Sequence, residues 1–162
     1  MEGAVSFDPV AAAGLVTREV RGGVRDGVAT KVAIARRVYS ASQSDLWDAL
    51  TNADRIPRWF LPVSGDLRLG GRYQLEGNAG GAVERCKALM GLARHIDSGA
   101  PVAPGLAVSF PASRDGAAFI RAAAAGWAAA ATADGDDPAA AQRAAARTVA
   151  FYAPPPRAAG AG

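Results

Sequence analysis

Thiols and imidazoles are nearly missing from this chain, which has one cysteine, Cys86, and one histidine, His95, in 162 residues. A lone cysteine excludes an internal disulfide framework, and this pair is too few for a structural zinc centre. No metal and no cofactor are expected. Lysine is also scarce, with two against sixteen arginines, and the arginines alternate with acids to a net charge of only +3. Such scatter lacks the one-sided basic face of a nucleic-acid binder. Long apolar runs are absent too. The longest, Ala122–Ala131, is about half a membrane span and is interrupted by Gly126. Glu2 and Asp8 stand where a secretory leader carries positive charge, so a cytoplasmic protein without a membrane span is expected. Half of the residues are apolar, but about a quarter of the chain is alanine. Alanine buries little area, so the core is poorer than the count suggests.

What is present is punctuated by glycine and proline. A helical pattern runs over Pro9–Val20, and Gly22, Gly23 and Gly27 break it into a turn. Thr30–Tyr39 alternates as a half-buried strand. Ser42 is placed to cap a helix through the amide of Asp45, whose carboxylate can reach back. Leu46, Trp47 and Leu50 follow at helical spacing and predict a buried face. A short helix, Ala53–Phe60, carries Trp59 and Phe60. Asp66–Leu69 and Arg72–Glu76 read as strands around a Gly70-Gly71 turn, with a second turn at Gly77–Gly81 and a third strand at Ala82–Cys86. Lys87–Ile96 is helical, with Leu89, Leu92, Ala93 and Ile96 as its apolar stripe. Pro101–Pro111 reads as a loop. Ser113 caps a helix to about Ala131 striped by Ile120, Ala124, Trp127 and Ala131, and Pro138 opens a last helix after an Asp cap. Pro154–Gly162 is expected to be disordered.

The strand at Thr30–Tyr39, the helix with Asp45, Leu46, Trp47 and Leu50, the Arg58-Trp59-Phe60 turn and the Gly65-Asp66-Leu67-Arg68 and Gly70-Gly71-Arg72-Tyr73 hairpin together resemble the START-like, or Bet v 1-like, helix-grip superfamily. The similarity covers about residues 28–86 and is greatest to the branch named after Hsp90 ATPase activator homologues. It implies an α+β fold: a reduced helix-grip antiparallel sheet of about four strands with N- and C-terminal helical extensions. The central strands of the superfamily are missing after Cys86. The implied segments are residues 1–29 (helix and linker), 30–100 (truncated START-like domain), 101–153 (helical extension) and 154–162 (tail). A short sheet leaves an exposed edge, which a homodimer or the terminal helices would cover.

The resemblance further implies a non-enzymatic module that binds an apolar small molecule between sheet and helix. Trp47, Trp59, Phe60, Tyr73, Leu75, Leu89 and Leu92 are the implied lining. Two other functions belong to the same superfamily: a co-chaperone-like protein-interaction module active in stress response, with Arg55 and Arg72 as exposed contact residues, and a polyketide cyclase or aromatase. For the last, His95 is the only imidazole base, though its place on a helix beside Arg94 reads as solvent-facing or as an end-of-helix histidine favouring the helix dipole. Cys86, with no histidine near it in sequence, reads as a small buried hydrophobe. Asp134, Asp136 and Asp137 lack the later bidentate glutamate of a calcium loop and read as a helix cap, while Asp48 reads as solvated.

Overall fold

A computed structural model describes residues 8–76, 82–99, 101 and 106–153, with backbone alone at 82–88, 90 and 106–108. The order is helix α1 (Pro9–Gly14), strands β1 (Thr17–Arg25) and β2 (Val28–Arg36), helix α2 (Gln43–Thr51), a 3₁₀ turn at Ile56–Arg58, strands β3 (Val63–Gly65) and β4 (Tyr73–Leu75), then helices α3 (Ala82–Ser98), α4 (Leu106–Ala112), α5 (Arg114–Ala133) and α6 (Pro138–Tyr152). The α+β class holds. The expected sheet of about four strands does not form among the described residues: β1 pairs with β2 and β3 with β4, giving two separate two-stranded antiparallel sheets.

The chain divides into two compact units, one from Met1–Arg36 and Ala107–Gly162, the other from Arg37–Leu106. In the first, the β1–β2 hairpin replaces the expected extension of the N-terminal helix to Val20. Asp26 and Gly27 sit at φ 52° and 77°, and Arg25 pairs with Val28 across them. Two successive left-handed residues match the twist of the flanking strands, and Asp-Gly is a preferred pair for that turn. Gly22 and Gly23 therefore lie inside a strand, opposite Lys31 and Thr30. A segment boundary at residue 30 would cut β2.

Helix α5 is the spine of this unit and packs on α1, β1 and α6. Ser113 caps it by accepting from the Gly116 amide. Its buried face is Phe119, Ile120, Ala123, Ala124 and Ala128, joined by Ala13, Val16 and Ala141. Gly116 carries no side chain because a Cβ there would collide with the Phe110 carbonyl oxygen. That close approach lets α4 fold where a loop was expected, with Phe110 meeting Phe119 edge-on at 6.0 Å. Arg18 crosses α5 beside Gly126, its guanidinium 6.0 Å from the Trp127 ring and its Nη1 donating to the carbonyls of Ala13 and Val16. Asp137 caps α6, while Asp134 and Asp136 pair with Lys31, so these three acids are committed to structure. Among the described residues no helix is long and apolar enough to cross a membrane.

In the Arg37–Leu106 unit the buried apolar side chains among the described residues are Ala49, Ile56, Leu92 and Ala93. Ser42 caps α2 as expected, with its hydroxyl 3.1 Å from the Asp45 amide. The β3–β4 pairing sits further out than expected: Val63 opposes Leu75 and Gly65 opposes Tyr73. Asp66–Leu69 is thus loop rather than strand. Only Gly70 of the Gly70-Gly71 pair has positive φ, 80°, closing a turn in which the Gly71 amide donates to the Arg68 carbonyl. Ala82–Cys86 is the first part of α3 and not a third strand. The Gly77–Gly81 turn, the Cys86 side chain and the Pro154–Gly162 tail lie outside the described residues.

Candidate functional site

In the Arg37–Leu106 unit, α3 is the element around which side chains converge. Gly91 brings it close to Trp59, because a Cβ there would stand 2.5 Å from the Trp59 carbonyl oxygen. The indole is fixed at its other end, where Nε1 donates to the Ala49 carbonyl at 2.9 Å, and Phe60 stacks beside it with centroids 5.4 Å apart. Both rings are half-buried, as is Leu89, while Leu92 is fully buried. The Tyr39 hydroxyl donates to the Leu89 carbonyl at 3.1 Å. Burial pushes the Tyr39 phenol up to about 12, since the phenolate would lose its hydration.

Of the expected lining residues, Trp59, Phe60, Leu89 and Leu92 therefore gather at or near α3. Leu75 is half-buried at the end of β4. Trp47 and Tyr73 are not walls of an enclosed pocket: they are 68% and 62% exposed. The α2 face expected to be buried, Leu46, Trp47 and Leu50, is displaced by about one residue, with Ala49 fully buried and Leu50 45% exposed. The indole of Trp59 docks on the Ala49 carbonyl, and Ala49 is small enough to be buried beneath it.

A second cluster was not foreseen. His95 lies in the last turn of α3, as the end-of-helix reading has it, but is 2% exposed rather than solvent-facing, and its Nε2 accepts from Arg55 Nε at 3.0 Å. The same guanidinium pairs through Nη1 with Asp45 at 2.7 Å and Asp48 at 2.9 Å, and donates to the Asp45 backbone carbonyl. Arg55 is thus a buried-side anchor between α2 and α3, not an exposed contact residue. Asp48 is not merely solvated, and the Asp45 carboxylate turns to Arg55 instead of only closing a capping box. The Arg55 hydrogen bond holds Asp48 below the usual carboxylate range. Asp45, and then Asp48, raise Arg55 above its ordinary value. With its Nε2 lone pair taken by Arg55, His95 does not present that atom to a substrate. The sequence carried a partial signal here: Asp45 and Asp48 lie one helical turn apart on α2, a spacing that converges two carboxylates on one cation. Nothing local pointed to His95, forty positions downstream.

The remaining candidates resolve simply. Arg72 is exposed. Among the described residues, no group of three or more histidine, cysteine or acidic side chains could hold a metal ion. No protein-family model, no curated protein and no solved structure matches this chain.

Proposed function

We propose that the Arg37–Leu106 unit is a non-enzymatic module that binds an apolar small molecule against α3 and the Trp59–Phe60 stack. The observation that carries this reading is the gathering of half-buried Trp59, Phe60 and Leu89 along α3, with the two rings stacked at 5.4 Å. Covering the exposed parts of these two rings removes on the order of 100 Å² from water, about 2–3 kcal/mol before the cost of association. The reading keeps from the helix-grip resemblance an apolar helix face opposed to aromatic side chains, and it does not need a complete sheet. The site is open, so the ligand completes the apolar layer instead of entering a closed cavity.

The test is intrinsic fluorescence of a Trp47→Phe/Trp127→Phe variant, which reports Trp59 in the intact stack, titrated with a series of alkyl and aromatic compounds. A blue shift and loss of acrylamide quenching are expected for at least one class. An unchanged spectrum across the series, with no displacement of an environment-sensitive dye from the wild type, removes the reading.

A protein-interaction module is the second reading, favoured by Trp47 and Leu50, which lie three residues apart on α2 and are both exposed. A co-chaperone-like role predicts capture of Hsp90 that Arg72→Glu abolishes. Capture unaffected by that change, or none, leaves the small-molecule reading alone.

A further inference from the structure

We propose that Arg37 anchors the carboxylate of an apolar acid, so that the molecule bound by the Arg37–Leu106 unit is an amphiphile with an anionic head. The inference rests on the small-molecule reading and names the chemistry of its ligand. Nε and Nη1 of Arg37 are buried and have no hydrogen-bond partner among the described residues. A guanidinium cannot shed its proton at any physiological pH, and it presents a planar fork of donors matched to a carboxylate. Buried donors are almost always satisfied, and a buried cation is costly until an anion compensates it. The contrast within the same unit is direct: Arg55 meets two carboxylates and an imidazole, and Arg68 meets Asp66.

Arg37 is also held in place. Its guanidinium lies 5.6 Å from the centroid of the Tyr39 ring, and Tyr39 is itself tied to the Leu89 carbonyl of α3. A cation fixed over an aromatic face loses little freedom on meeting an anion. The Tyr39 bond is to the Leu89 backbone carbonyl, so the ring beside Arg37 is tied to the helix that carries the apolar stripe. A carboxylate on a hydrocarbon body has the two parts that match a guanidinium and that helix.

The experiment compares dodecanoate with dodecanol, equal in chain length and different in head group, by dye displacement on the full chain at neutral pH. Wild type should bind the acid at least tenfold more tightly, as a charge-assisted hydrogen bond of about 1.5 kcal/mol or more implies. Arg37→Gln should erase the preference while leaving dodecanol binding intact. Arg37→Lys, which keeps the charge and loses the fork, should retain only part of it and serves if the glutamine variant does not fold. Equal affinity for acid and alcohol in the wild type overturns the anchor but leaves the small-molecule reading standing. A preference that survives in Arg37→Gln assigns the anion elsewhere and also overturns it. Binding of neither compound, nor of any other apolar probe, removes both.

Discussion

Arg55 joins one imidazole and two carboxylates through a single guanidinium. It donates to His95, which has almost no access to water, and pairs with Asp45 and Asp48 of α2. Replacing it by Met removes the Arg55 donor from the imidazole Nε2, and loss of a donor to a buried acceptor costs about 1–3 kcal/mol. Urea titration of Arg55→Met should register that loss. Asp48→Asn, at a half-exposed side chain, should move the midpoint far less. If the two variants behave alike, the His95 bond contributes nothing. At this scale the local part of the structure was legible. Ser42, Ser113 and Asp137 cap their helices as read, because a cap joins a side chain to an amide two or three residues away. The Arg55–His95 bond was not legible, because it depends on how α3 lies against the 3₁₀ turn, which no local pattern encodes.

Elements followed their strongest local chemistry when two signals competed. Asp26-Gly27 overrode Gly22-Gly23, since a turn needs left-handed residues where the chain reverses, while glycines within a strand only weaken it. The hairpin was therefore readable from that dipeptide. The start of α3 was not, because Ala82–Cys86 has too few residues to show either period before the amphipathic stretch begins. Glycines in helices differ in meaning as well. Gly116→Ala in α5 forces a methyl into the Phe110 carbonyl and should cost about 3 kcal/mol or more, since neighbouring backbone must shift. Gly126→Ala meets only the Arg18 side chain, at 3.1 Å from its Cδ. That chain can give way, and the gain in helix propensity offsets the crowding, so its effect should stay within about 1 kcal/mol. Thermal melts of both variants decide it, and equal shifts contradict the α4–α5 packing described above.

The molecule as a whole has two compact units, each with buried side chains of its own. Phe119, Ile120 and a ladder of buried alanines hold the unit made from the chain ends, while Ala49, Ile56, Leu92, Ala93 and His95 are buried among the described residues of the Arg37–Leu106 unit. Unfolding should accordingly depart from a single cooperative step. Trp127 alone, in a Trp47→Phe/Trp59→Phe variant, should report a urea midpoint different from that of Trp47 alone. Superimposable curves contradict that. This division was the least legible feature, because the partners of β1 and β2 come from the far end of the chain and leave no trace in the residues between. It has a consequence for biosynthesis. Strand β1 packs on α5, yet Arg114, where α5 begins, leaves the ribosome long after Arg36. At ~5–20 residues per second that interval is on the order of ten seconds, during which the nascent hairpin must persist, or re-form, with one flank bare.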